Sequence, residues 1–468
     1  MPPRPELWAV PMRRVAVVAP QTRLRRVLVE VADAGRFEPD PADASATTGP
    51  VAQLAERSVE RESAPGPELA IAPPDPEQLA ARGETALLLG EASLEAVASG
   101  AHPVGRCRVL PGWMRAEDVD PMRAVLDPLG GAVADLPGRR GVMPPTAHAE
   151  GRARAAFRPL VTTYATVPYR DIDPTVFAAA AYIVMFGMMF GDVAHGAAII
   201  VAGVLALRLP AARVGSLRAA APFLIGAGLS ATAFGFLYGE AFGPTGLVPT
   251  LWLRPLDEPE TLLVVAVGVG GLLLAMTFLM SIANRWREGG LGLALYDPSG
   301  IAGAVILLGV AGWAIGATAD VPPWWWQAGA ALVAVGAVLV FIGLIVRSGA
   351  SGSGLAEAVV ELFDTLLRLG SNIVSFARLA AFGLTHAVIT AVVWEGTVAL
   401  WDHGGLLGSV SAVALFTLGN VAAFALGALV AAIQALRLEY YELFSRLFAS
   451  SGRPFTPWHV PARRRETS

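Results

Sequence analysis

The feature that most constrains this chain is the series of long apolar segments that begins near residue 175 and continues almost to its end. The hydrocarbon core of a bilayer is about 30 Å thick, and a helix needs roughly 20 predominantly apolar residues to cross it. Segments of this kind lie at about 175–189, 191–208, 219–238, 261–283, 299–318, 324–346, 376–401 and 408–446. Helices satisfy their own backbone groups in lipid, so the pattern predicts a polytopic α-helical membrane protein with about eight transmembrane helices. The first two segments are one apolar run broken at Gly191-Asp192, and the last two are long enough to require tilt or to project beyond the lipid.

Composition excludes several other classes. Of 468 residues, 54% are hydrophobic and 16% charged, which is too apolar for an ordinary soluble domain. All 35 basic residues are arginine, so the lysine of a GxxxxGK[ST] phosphate loop is missing and the chain does not hydrolyse ATP by that motif. Cys107 is the single cysteine, which excludes an intrachain disulfide and a cysteine-cluster metal site. The net charge is −4, and no basic face for a nucleic-acid partner is visible. Nothing in the sequence calls for a cofactor or a metal.

Residues 1–165 are charged and rich in proline and alanine, and they predict a small cytoplasmic α/β domain. Arg14–Ala19 (RVAVVA) reads as a buried strand and Gln21–Ala34 as a helix, forming a βα unit. Strands are expected at Arg106–Leu110 and Ala132–Leu136, with helices at Ala116–Leu129 and near Glu84–Ala98. Residues 37–76 lack periodicity and read as a linker or loosely held loop. The opening stretch lacks the apolar core of a secretory signal, which predicts a cytoplasmic N-terminus. A membrane domain over 166–450 and a cytoplasmic C-terminal tail over 451–468 complete the division.

Arginine placement supports one orientation. With the N-terminus inside, the inner loops hold Arg208, Arg213, Arg218, Arg285, Arg287, Arg347 and Arg463–Arg465, and the outer loops hold Glu240, Asp257, Glu258, Glu260, Asp320 and Asp402. Trp324–Trp326 reads as an interfacial anchor.

Ionisable residues at membrane depth cost about 2.5–3.5 kcal/mol each on insertion scales, which makes them functional candidates. Arg378 opens the seventh span, where Ser371, Ser375, Arg378 and Thr385 share a helical face; Arg437 closes the eighth, behind a stripe of Ala423, Gly427, Val430 and Gln434. Either arginine could instead snorkel to the headgroups. His386 could relay protons or simply hydrogen-bond a neighbour. Glu395 could line a wet vestibule or be a solvated end-of-span carboxylate, and Asp192 reads as a cap before it reads as an ion ligand.

Three motifs carry a resemblance. Pro168–Thr175 followed by FAAAAYIVMFGMMFGDVAHG, then SNIVSFARLAAFGLTHA, then ALRLEYYELFSRLFASSGRPFTPW resemble, in order, the membrane domain of subunit a, also called subunit I, of the V-type and A-type rotary ATPases. The resemblance covers about residues 165–460. It implies a stator membrane subunit of the Vo sector, multi-pass in a prokaryotic plasma membrane, with two ion half-channels that couple H+ or Na+ movement to rotation. Implied partners are the c/K-ring rotor subunits, peripheral-stalk E/G-type subunits, a central-stalk d/C-type subunit, the soluble ATPase subunits reached through the stalks, and membrane lipid. Arg378 and Arg437 take the positions of the rotor-facing stator arginines, with Ser375, His386, Gln434, Glu442 and Glu395 as candidates for the polar path.

The sequence departs from the family in three places. The family's FGDxGYG reads FGDVAHG here, with Ala194 and His195 in place of glycine and tyrosine. Gly427 stands where some members carry a carboxylate lining a half-channel. The long helical hairpin of the family's cytoplasmic arm is replaced by the 37–76 stretch and one short helix, which implies a shortened arm. A secondary transporter with broken helices and a purely structural Vo anchor are the alternatives; the first expects an internal repeat of the Gly191-Asp192 break, which is missing.

Overall fold

The computed structural model describes residues 8–40, 68–69, 74–138, 142–147, 152–209, 211–318, 321–348, 352–448, 452–460 and 463–464. The chain separates into two compact units: a head, 1–149 with 452–468, and a helical unit, 150–451.

In the head, β1 (Met12–Pro20) runs beside β5 (Cys107–Arg115), with Val17 opposite Leu110. The sheet order is β2 (Phe37–Pro39), β5, β1, β6 (Ala132–Asp135), with β4 (His102–Val104) also paired to β5. All these pairings are antiparallel. Val15 and Val17 of β1 are buried because α1 (Leu24–Ala34) lays Val27, Leu28 and Val31 in the core that they share. The helices α2 (Pro76–Arg82), α3 (Thr85–Ser99) and α4 (Val119–Leu126) complete this layer. A short parallel pair joins β3 (Glu68–Leu69) to β7 (Arg463–Arg464). The expected linker opens with β2, and its residues 41–67 and 70–73 lie outside the described residues.

Residues 452–460 are built into the head. The Thr146 N–H donates to the Arg453 carbonyl at 2.7 Å, Thr456 N–H to the Glu38 carboxylate at 3.0 Å, and Trp458 Nε1–H to Ser93 Oγ at 2.8 Å. Arg453 also pairs with Glu38, whose side chain is buried.

The helical unit contains α5 (Arg152–Thr162), α6 (Thr175–Met189), α7 (Val193–Arg208), α8 (Ala211–Tyr238), α9 (Pro259–Tyr296), α10 (Ile301–Thr318), α11 (Trp324–Ser348), α12 (Gly352–Ser375), α13 (Ala377–Asp402), α14 (Gly405–Leu438) and α15 (Ser445–Leu447). A six-residue π-helical turn, Glu439–Phe444, joins α14 to α15. Five helices among the described residues are long and apolar enough to cross a membrane, and α6, α7 and α10 are shorter apolar helices. Each of the eight apolar segments therefore holds a helix. Many of their large side chains are exposed, among them Val346, Leu406 and Leu407 at 78–84%, as expected of surfaces that face lipid instead of water.

One helix extends well beyond what the sequence indicates. Ser371 and Ser375 were expected on one helical face with Arg378, and they end α12, which begins at Gly352 and leads almost without interruption into α13. The join is Phe376, which is fully buried; its ring lies against Gly270 of α9, where a Cβ would come within 2.0 Å of it. The glycine thus fixes where this break in the helix falls, two residues before Arg378.

Candidate functional site

Arg378 stands in the first turn of α13 and Arg437 in the last turn of α14, and these two helices pack as neighbours in the hairpin closed at Gly404-Gly405. Because they run in opposite directions, the start of one meets the end of the other. Both arginines line one cavity of about 730 Å³, together with Ser375 and Glu442. Arg378 Nη2 donates to Ser375 Oγ at 3.3 Å. The Glu442 carboxylate stands beside the Ser375 hydroxyl, and the charges of Arg378 and Arg437 both act on it. A wide π turn places Glu442 here, immediately after Arg437; such single-turn insertions recur at functional sites.

The cavity also takes Ser299, Arg368, Ser371, Asn372, Tyr441, Ser445 and Arg446 into its wall. Four arginines and one carboxylate leave its lining positive, so the space favours an anionic group over a neutral one. Arg446 is buried and Arg368 pairs with Asp364. Neither was singled out from the sequence, although Arg446 closes the last apolar segment, 408–446, and Arg368 lies between the sixth and seventh segments. Thr385, expected on the face of Arg378, turns back to donate to its own helix at Ala381 O and is not part of the lining.

The remaining candidates lie elsewhere. Gln434 is half-buried, with Oε1 unpaired, and is outside the lining. Glu395 is exposed, about 25 Å along α13 from Arg378 at 1.5 Å per residue. His386 is 4% exposed and belongs to a second cluster. Its ring is 4.7 Å from that of Phe190 and 5.6 Å from that of His195. Gly427 faces it: a Cβ there would come within 2.7 Å of His386 Nδ1 and 2.9 Å of Phe190. A carboxylate at 427 and a histidine packed as His386 is packed cannot share this space.

Asp192 completes the cluster as the cap of α7. Its carboxylate accepts from the His195 N–H at 2.9 Å and from the Gly243 N–H at 3.0 Å, and it is fully buried. These bonds close the loop after α8 onto the break between α6 and α7, and they hold Phe242 at φ +53°, an unusual conformation for a bulky residue.

Comparison with known proteins shows what the chain is similar to. The model of the V-type ATPase 116 kDa subunit family matches residues 106–218. The A-type ATP synthase subunit I of Archaeoglobus fulgidus is 28% identical over 404 residues, which are 75% of this chain and 58% of that protein. The subunit I of Aeropyrum pernix is 28% identical over 418 residues, 76% of this chain and 58% of its own. That of Pyrococcus horikoshii is 25% identical over 323 residues, 67% and 46% respectively. The chain thus spans about half the length of the curated relatives it matches. The chain is thus similar to the V-type ATPase 116 kDa subunit family over 106–218 and to A-type ATP synthase subunit I proteins over about two thirds to three quarters of its length.

Proposed function

We propose that this chain is the stator membrane subunit of a V/A-type rotary ATPase and that Arg378 and Arg437 are the charges past which the rotor ring turns. The observation that carries the reading is their convergence, from antiparallel helices, on one positive cavity with Ser375 and Glu442. A rotor carboxyl crosses lipid neutral, because an isolated charge there is costly. Beside two arginines its ionised form is favoured, so it releases its H+ or Na+ on arrival. The same fixed charge opposes a cation passing straight through, which ties ion flow to rotation.

The apolar surface beside the arginines suits a rotor. Val388, Val392, Leu429 and Ile433 on α13 and α14 are 44–63% exposed and would face either lipid or the apolar flank of a ring subunit. Ser375 and Glu442 form the polar path next to the arginines, and His386, Gln434 and Glu395 extend it along the hairpin. In this reading α6, α7 and α10 cross the bilayer with the five longer helices, making eight spans with both termini cytoplasmic. The head meets peripheral-stalk E/G-type subunits through a shortened arm, and a central-stalk d/C-type subunit and the soluble ATPase subunits complete the assembly.

The test is Arg378→Ala in the assembled complex reconstituted in vesicles, read with a pH or sodium probe. ATP-driven ion uptake should be abolished while ATP hydrolysis by the soluble subunits survives. Coupled uptake at the parent rate overturns the assignment.

A further inference from the structure

We infer that Asp192, His195 and His386 form a binding site for a divalent transition-metal ion of the zinc class. One ligand atom from each residue lies within 4.8 Å of the others, and all three residues are buried. Zinc bonds imidazole nitrogen at about 2.0–2.1 Å and carboxylate oxygen at about 2.0–2.2 Å, so only small side-chain rotations are needed to close the set.

Three independent observations point to a cation. First, His195 and His386 are 2% and 4% exposed, yet among the described residues neither ring nitrogen of either side chain has a hydrogen-bond partner that meets ordinary geometry. Buried polar atoms left in this state cost about 1–3 kcal/mol each, and a metal would take one nitrogen from each ring. Second, the Asp192 carboxylate is held in place by two backbone N–H groups, one on each oxygen, which leaves each oxygen a lone pair for a ligand bond. Third, Asp192 is fully buried and, among the described residues, its carboxylate meets no arginine.

Access is through a second cavity of about 340 Å³ between α7 and α14, in whose wall His195 stands with Phe242, Asn420 and Phe424. Asn420 Oδ1 is also buried and unpaired, and its side chain faces His195. Two nitrogens and a carboxylate oxygen in an apolar surround select zinc or cobalt over magnesium or calcium, which require several oxygens. His195 occupies the tyrosine position of the family motif, so the ligand set is a property of this chain's sequence.

The test uses the full chain in its complex, purified without a polyhistidine tag, stripped with a chelator and dialysed against Co2+ and then Zn2+. One equivalent should bind per chain, and the zinc absorption edge should carry imidazole scattering. His195→Tyr should weaken binding by more than about tenfold. The aromatic surround of Phe190, Phe242 and Phe424, at 5.5–5.8 Å from the His195 ring, accepts the tyrosine, and thermal unfolding of the variant reports whether the fold is kept. Asp192→Glu serves as the second variant, since it keeps the charge and displaces the oxygen. Failure to bind one equivalent, binding that survives His195→Tyr, or an edge spectrum without imidazole each overturn the proposal. No ion transport enters the assay, so its failure is separable from failure of the rotary reading.

Discussion

Gly427 and His386 must be understood together. With no side chain at 427, the imidazole lies between α6 and α14 against Phe190, in space that a carboxylate would otherwise fill. Gly427→Glu should therefore displace His386 and strain the packing by about 1–3 kcal/mol, seen as a lower thermal midpoint in detergent. A parent-like midpoint would mean that the histidine moves freely. Asp171 offers a second residue-level test. It is buried just before α6, and burial first, then the nearby Glu288 charge, push its carboxyl up to about 7 against the pull of Arg285 and Arg287. Folded protein then binds this proton more tightly than unfolded chain does, so stability falls as pH rises from the ordinary 3.8 to about 7. Asp171→Asn should flatten this slope, gaining ~2–4 kcal/mol at pH 8 and little at pH 4, as unfolding across pH will read. An unchanged slope in the variant would assign the pH dependence to other groups.

The elements around the two arginines are where regular helix gives way. The π turn Glu439–Phe444 inserts one residue more than an α turn needs, and Tyr441 within it is 69% exposed. Deleting Tyr441 should restore α-helical hydrogen bonding and keep the thermal midpoint, while Glu442 leaves Ser375 and coupled uptake falls at least tenfold. Retained uptake would make the π turn incidental. Much of the element pattern was legible in the sequence: the apolar segments and the β1–α1 unit stand where hydropathy and periodicity put them. The helix α12 escaped a search for apolar runs, because Glu357, Glu361, Asp364 and Arg368 interrupt its hydropathy, although their helical spacing marks it as amphipathic. The π turn has no proline or glycine to mark it. At the site, Arg378, Arg437 and Ser375 were legible as polar intrusions, and Glu442 only through the family motif. The gathering of Asp192, His195 and His386, separated by up to 194 positions in sequence, depends on tertiary packing that no local pattern encodes.

At the scale of the whole molecule, the head is assembled from both ends of the described chain, with the Glu38 pair and the Trp458 bond holding 452–460 to the sheet unit. In a Cys107→Ser background, Val104→Cys and Pro457→Cys should react with an impermeant thiol reagent from the same face of sealed vesicles. Labelling from opposite faces would contradict a single head unit. Such a unit lies on one side of a bilayer, so the polypeptide between residues 150 and 451 must return to the side from which it left. The number of crossings is then even. An even count is consistent with the eight spans proposed above. Parity also acts as a check on biogenesis: any error that adds or loses a single crossing strands the two portions of the head in different compartments, and the Glu38–Arg453 and Ser93–Trp458 contacts cannot form.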